Sequence, residues 1–369
     1  MRIAIANSSR IWGGAEVITA MLLRGLHSRG HDVALLCRRS SPFLERLGAE
    51  LPCHATLGGF DANPRAVLLS MRALRRARAQ VMVTMTRKEP RTAGIAARLL
   101  RTPVLLREST DIEFRRTIRH RFYLGMVPTH YVANSLSTRR TMLASAKWLA
   151  PADVGVIYNG IDVERFARAE PARLGIPAGA LTVGFAGRFE PRKGIVELMA
   201  AWEIVARSVP EAHLVLVGAG GALEADVTAW ADDHDRVHRL GFRDDMPAVV
   251  AAFDIFVMPS HFEGFGIALV EAMATGAAVI ASAASNLPEL VQDGVEGLLV
   301  PVKDAEALAS AIIALCGDGE KRQTMARAAR ERARRDFSMD RMIDEYEALL
   351  LEIVAGGTVR EWVPLEESQ

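Results

Sequence analysis

Two glutamates, Glu263 and Glu271, frame the stretch EGFGIALVE with seven residues between them. The apolar run Ile255–Met258 before it reads as a strand ended by Pro259 and Ser260. Gly264 and Gly266 open the next turn, and the spacing predicts a helix to about Ala274 with Thr275–Gly276 as its stop. That helix carries Ile267, Ala268, Leu269, Val270, Ala272, Met273 and Ala274; apolar all round, it is expected to be buried. Glu271 is its only charge, and a buried carboxylate is costly unless strong donors meet it. Ribose hydroxyls of a nucleotide are such donors; backbone amides or an arginine in an ordinary core are the plainer alternative. Glu263 lies in the loop before the helix, at the strand ends where open α/β sheets bind ligands. There the glycines admit a close approach and the helix start offers free N–H groups. An exposed loop acid is its plainer reading.

A second constellation follows the run Leu181–Ala186: Gly187, Arg188, Glu190, Pro191, Arg192, Lys193 and Gly194, before a helix Ile195–Arg207 that Pro191 helps to start. Arg188 and Lys193 can meet a diphosphate at the strand end, helped by the helix amides. Fixed cations there stabilise the charge that develops as a diphosphate leaves. The plainer reading is a solvated basic loop. Asp232–Asp233 and Asp244–Asp245 form no DxD pattern and read as helix-start or surface acids, so no metal site is expected. The GAGG at Gly218–Gly221 lacks the full GxGxxG, which argues against a nicotinamide site.

The elements that must position these residues are short apolar runs alternating with helical stretches. One series is Ile3–Asn7, Val33–Cys37, Val81–Met85, Val104–Leu106, Tyr131–Ala133 and Val154–Ile157. A second is Leu181–Ala186, Leu214–Val217, Ile255–Met258, Ala277–Ala281 and Gly297–Val300. Continuous apolar strands separated by helices mean parallel sheets covered on both faces, here in two doubly wound domains. The boundary is placed near Asp162–Ile176, giving domains 1–165 and 175–338. A final helix, 339–356, shows a stripe of Met342, Ile343, Tyr346, Leu349, Leu350 and Ile353.

In the first half, Gly13–Gly14 precede a helix starting near Ala15 or Glu16 and either admit a phosphate or sugar or form a plain βα loop. Ser135 and Asp162 are placed to cap helices, and Asn159–Gly160 is a turn signature.

The two glutamates, their glycines and the following AMA-x-G closely resemble the signature of the family 4 retaining glycosyltransferases. GR-x4-KG at Gly187–Gly194 is similar to that family's slightly longer GR-x5-KG, and GGAE, RGHDV, VANSLSTRR and VIYNGID match further along. The resemblance spans roughly residues 1–350, densest in the second half. It implies a GT-B architecture: two Rossmann-like domains facing across a cleft, acceptor-binding first and nucleotide-sugar-binding second, with the C-terminal helix crossing back. It also implies metal-independent transfer of a sugar from a UDP- or GDP-type donor, acting as substrate rather than cofactor, to a glycan or lipid-linked acceptor in cell-surface polysaccharide assembly. By resemblance Arg188 and Lys193 hold the diphosphate, Glu263 the sugar and Glu271 the ribose. Gly13, Gly14, Gly187, Phe265 and Gly266 line the donor, with Arg243 near the base. One departure is plain: where many members carry a histidine after the strand Val104–Leu106, this chain has Arg107, Glu108, Ser109, Thr110 and Asp111.

Size and charge fit this reading. A chain of 369 residues exceeds one ordinary core, and a net charge of +1 argues against a general nucleic-acid binder. Cys37, Cys53 and Cys316 show no CxxC spacing, which argues against disulfides or zinc and for a reducing cytoplasm. No signal peptide is read at the start, and no apolar run reaches the ~20 residues of a membrane-spanning helix. From Arg65 to Arg121, however, fifteen Arg/Lys stand against four Asp/Glu. That is either a solvated surface or a face for an anionic target, such as a membrane or a lipid-diphosphate acceptor. A nucleotide-sugar 2-epimerase and a non-catalytic nucleotide-sugar-binding protein are the alternatives weighed on the same fold.

Overall fold

The computed structural model describes residues 1–115, 117–177, 179–359 and 362. The chain forms two compact units: Met1–Gly160 joined by the chain from Met339, and Ile161–Ser338.

Among the described residues the first unit holds a parallel sheet of seven strands. They are β1 (Arg2–Ala6), β2 (Asp32–Arg38), β3 (Cys53–Leu57), β4 (Val81–Thr84), β5 (Val104–Glu108), β6 (His130–Ala133) and β7 (Val154–Val156). Their order is β3-β2-β1-β4-β5-β6-β7, so the winding reverses between β1 and β4. The inner strands are continuous apolar runs because helices cover both faces: Ala4, Leu36, Met82 and Val104 belong to one buried cluster, Leu106, Tyr131 and Val154 to another.

The second unit repeats the plan. Its strands are β8 (Leu181–Ala186), β9 (Ala212–Val217), β10 (Val237–Gly241), β11 (Ile255–Met258), β12 (Ala278–Ser282) and β13 (Gly297–Val300). The order is β10-β9-β8-β11-β12-β13, all parallel, and Trp202 is wholly buried in its core. The crevice in such a sheet opens between β8 and β11, where the order turns back.

Two readings change. Ile161–Arg165, placed by sequence at the tail of the first domain, belong to the second unit, since the helix Val163–Ala167 packs on helices Met246–Ala251 and Ile267–Thr275. The helix Ile267–Thr275 is not covered all round. Leu269, Val270, Ala272, Met273 and Ala274 are buried, whereas Ile267, Ala268, Glu271 and Thr275 share a half-buried face. A helix lying on one side of a sheet buries only the side toward its neighbours.

The last helix, Met339–Val354, packs within the first unit through its apolar stripe. The fit is close: a Cβ at Gly25 would sit 2.1 Å from Ile343 Cδ1. Glu347 also takes bonds from Arg29 Nη1 at 2.8 Å and pairs with His31 at 2.8 Å.

Candidate functional site

The loop after β8 is shaped by glycines pressed against backbone. Gly218, with φ +132°, follows β9 so closely that a Cβ there would lie 2.1 Å from Gly187 O. The GAGG is therefore a packing device between neighbouring strand ends. Gly187 N donates to Val217 O at 2.9 Å, and Phe189 N to Gly220 O at 2.9 Å. A short turn, Pro191–Lys193, ends at Gly194, whose φ of +69° and hypothetical Cβ only 1.9 Å from Pro259 O admit no side chain. The loop after β8 is thereby seated on the end of β11, before the helix Ile195–Ser208 begins.

That seat brings Lys193 to Glu263. Lys193 Nζ lies 2.6 Å from Glu263 Oε1, and Ser260 Oγ donates to the same oxygen at 2.6 Å. Glu263 is only 6% exposed, so it is not a loop acid in water. Around the pair, His261 N donates to Arg192 O at 2.8 Å, and His261 Nε2 lies 2.9 Å from Glu197 Oε1. Ser282 Oγ donates to Ser260 O, and Asn286 Nδ2 donates to Phe265 O at 2.7 Å. Gly266, at φ +84°, has no room for a side chain, since a Cβ would meet Leu287 Cδ2 at 2.8 Å. The helix it caps leaves its first-turn amides without i−4 carbonyls.

Glu271 sits one turn further along that helix. It keeps some exposed surface, yet among the described residues it has no hydrogen-bond partner. Protein atoms surrounding the carboxyl push its pKa up to about 7, with Arg165 opposing the shift. Of the two readings of Glu271, a core acid satisfied by backbone or arginine finds no such bond here.

The other cations are engaged differently. Arg188 is largely exposed and ion-paired with Glu190, which also takes a bond from Arg192 Nε at 2.7 Å. Arg243 is held by Asp245 through contacts of 2.7 Å and 2.5 Å. Asp245 stands just before a helix, while Asp232 and Asp233 end one and are exposed. Among the described residues no group of three or more His, Cys, Asp or Glu is placed to hold a metal ion.

In the first unit, Gly13 is the extended residue before the helix Gly14–Ser28, and a Cβ there would touch only Glu16 Oε2, at 3.5 Å. The loop before it is tied down by buried Glu89, which sequence reasoning passed over. Glu89 Oε1 accepts from Ser8 N at 2.8 Å and Ser8 Oγ at 2.5 Å, and Oε2 from Thr86 N at 2.7 Å. Burial raises its pKa against those bonds. Where a histidine was expected, Arg107 is buried with Nη2 2.5 Å from Asn159 Oδ1, and Glu108 accepts from Ser109 N, Thr110 N and Thr110 Oγ1. Ser260, Ser282, Asn286, His261 and Glu197 were also missed; a serine after a strand is the only local signal any of them carried. Ser135 and Asp162 cap their helices as expected, accepting from Thr138 N at 3.1 Å and Arg165 N at 3.1 Å.

Two parallel, doubly wound α/β units define the fold of the GT-B glycosyltransferases, and similar solved structures agree. HepE of Anabaena, solved in complex with UDP, superposes with a TM-score of 0.82 at 23% identity, over 95% of this chain and 100% of that one. The chain belongs to the group 1, family 4 glycosyltransferases: the model described as "Glycosyl transferases group 1" matches residues 180–318, and that described as "Glycosyltransferase Family 4" matches 12–165. Among curated relatives, the D-inositol 3-phosphate glycosyltransferase of Saccharomonospora viridis is 36% identical over 212 residues, 53% of this chain and 49% of the relative. The match thus spans about half the length of that relative. The UDP-Gal:alpha-D-GlcNAc-diphosphoundecaprenol alpha-1,3-galactosyltransferase of Escherichia coli is 22% identical over 96% of this chain and 97% of its own.

Proposed function

We propose that the chain is a retaining glycosyltransferase whose second unit binds a UDP- or GDP-type sugar donor and whose first unit binds a glycan or lipid-linked acceptor. The observation that carries this is the buried Lys193–Glu263 contact at the ends of β8 and β11, followed in the next helix by Glu271, whose carboxyl has no hydrogen-bond partner among the described residues. Glu271 would accept the ribose hydroxyls, which favour its ionised form. Lys193, with Arg188 released from Glu190, would hold the diphosphate. Glu263, oriented by Ser260, would take a hydroxyl of the donor sugar, and the amides at Phe265 and Gly266 the sugar and phosphate. Gly187 leaves the backbone clear beside them, and Gly13 and Gly14 of the first unit would likewise admit the donor. Arg243 would reach the base.

In this mechanism the bond between the anomeric carbon and the leaving phosphate oxygen breaks as the acceptor oxygen bonds the same face. The departing phosphate takes the acceptor's proton. Lys193 and Arg188 stabilise the charge on that phosphate more in the transition state than before it. No step requires a metal. The relatives' names fit an acceptor carrying phosphate, an inositol phosphate in one and a diphosphoundecaprenol in the other. This supports a place on the cytoplasmic side, in cell-surface polysaccharide or glycolipid assembly, with peripheral contact to an anionic membrane.

Incubation with UDP-, GDP- and ADP-sugars, following nucleotide release with and without acceptor, tests the reading. Release that depends on acceptor supports transfer. Free nucleotide with an epimerised sugar would replace it by a 2-epimerase, and binding without turnover by a non-catalytic binder.

A further inference from the structure

The short helix Ile118–Arg121 continues into a wider turn, Phe122–Met126. Its inner side is ordinary core: Leu124 is buried in one cluster with Phe114, Val127 is buried against Gly94, and Tyr131 Oη donates to Leu124 O at 3.0 Å. Its outer side carries Ile118, Phe122 and Met126 at four-residue spacing, exposed by 91%, 47% and 65%. The wider turn offsets the drift of the α turn, so the three stay on one face. A fourth joins them. Phe60 is 71% exposed, and its neighbour Asp61 pairs with both Arg119 and, at 2.9 Å, Arg91. Scattered exposed apolar side chains are normal; a cluster of large ones rimmed by charge marks a docking face.

The rim is basic. Arg115, Arg119 and Arg121 are exposed around the cluster, while Arg116 lies outside the described residues. The nearby acids are occupied: Asp61 by the two arginines, Asp111 by Ser137 and Thr141, Glu108 by Arg87, and Glu89 by Ser8 and Thr86. Only Glu113 among them is exposed. His120 registers this field: burial, and then Arg91, Arg115, Arg87 and Arg119, hold it below the usual imidazole range.

We propose that Phe60, Ile118, Phe122 and Met126 form a face that inserts into the headgroup–acyl boundary of a bilayer, with Arg115, Arg119 and Arg121 on the phosphates of anionic lipids. This rests on the lipid-linked acceptor proposed above and names the surface that would bring the enzyme to it. The side chains project outward instead of lining a groove, which suits an extended lipid surface better than a single prenyl chain. Arginine stems cover apolar surface while their heads stay among phosphates, which suits lipid better than an apolar protein partner. The face springs from the loops after β3 and β5, the sheet edge from which the Gly13–Gly14 loop also rises. Among the described residues no helix is long and apolar enough to cross a membrane, so such contact would be peripheral.

The test uses the full chain with vesicles of phosphatidylcholine alone or mixed with phosphatidylglycerol, and no sugar nucleotide, so its outcome is independent of the transferase reading. Wild type should sediment with the anionic vesicles and much less with the neutral ones. A variant with Ile118→Ser, Phe122→Ser and Met126→Ser should lose about tenfold or more in partitioning at every salt concentration. One with Arg115→Gln, Arg119→Gln and Arg121→Gln should lose the salt-dependent part. Thermal melts establish that both variants fold, and Phe122→Trp gives a second readout, its emission quenched by brominated acyl chains. Equal sedimentation of wild type with both vesicles, full binding by the serine variant, or no quenching overturns the proposal. So does a dimer that the serine variant abolishes, or tight binding of farnesyl diphosphate without vesicles that the same variant loses.

Discussion

Replacing Lys193 by alanine separates two consequences that the Lys193–Glu263 contact joins. The ammonium and carboxylate are 2.6 Å apart, with side chains only 18% and 8% exposed. Removing one member of a buried pair typically costs about 3–5 kcal/mol. Here Ser260 still donates to the orphaned carboxylate, so Lys193→Ala should destabilise by about 3 kcal/mol or less. The rate effect is separate. If the ammonium stabilises the departing diphosphate, losing it should remove about 3–4 kcal/mol from the transition state, a fall in kcat of roughly a hundred- to a thousandfold. The double variant Lys193→Ala, Glu263→Gln distinguishes them. An amide buried there carries no charge, so much of the stability should return while the rate stays low. Donor turnover under saturating conditions and thermal melts of all variants provide the measurements. A folded Lys193→Ala enzyme with wild-type kcat would refute the clamp, and so would a double variant whose rate recovers together with its stability.

Glu271, pushed up to about 7 from an ordinary 4.5, gives a pH signature. The folded protein holds a proton there that the unfolded chain has released, so this carboxyl's favourable contribution is complete below about 4.5 and fades as pH rises through about 7. Nucleotide binding should run the other way, since ribose donors need the carboxylate. Nucleoside-diphosphate affinity, measured by calorimetry, should fall as pH drops below about 7, and Glu271→Gln should bind weakly with that slope gone; an unchanged slope would remove the ribose role. Gly194→Ala forces a Cβ against Pro259 O at a φ of +69° and should lower both the melting temperature and donor turnover, with unchanged melting and turnover counting against the tight seat. The backbone N–H of His261 ties the β8 loop through Arg192 O, a bond any residue there keeps, whereas its ring contacts Glu197 and makes it a positioning residue. His261→Ala should lower kcat about tenfold with little change in acceptor KM, His261→Asn should recover part of it, and an effect confined to thermal stability would reduce it to a structural role.

Legibility in the sequence followed burial. The inner strands read as apolar runs because both faces are covered, but β3 and β10 were harder to see. Each is an edge strand: β3, CHATL, is mostly half-buried, and β10, VHRLG, alternates polar residues into half-buried positions. The apolar stripe of Met339–Val354 was readable to the residue because a helix packed on one side keeps its period, whereas the half-open face of Ile267–Thr275 was not, because Ile267 and Ala268 are apolar whether covered or not. In the site, residues belonging to short contiguous motifs could be named: Lys193 with its glycine, Glu263 and Glu271 with theirs. Their supports come from further away. Ser282 braces Ser260 across 22 positions, and Glu197 meets His261 from the start of another helix. No local pattern encodes such pairs, since they exist only when β8, β11 and β12 lie side by side. The same reasoning covers the face at Ile118, Phe122 and Met126: charge counting flagged the segment, but only the buried placement of Leu124 shows which side chains the fold leaves outside. What the sequence states is chemistry held within one loop, and what it withholds is chemistry assembled by the order of the strands.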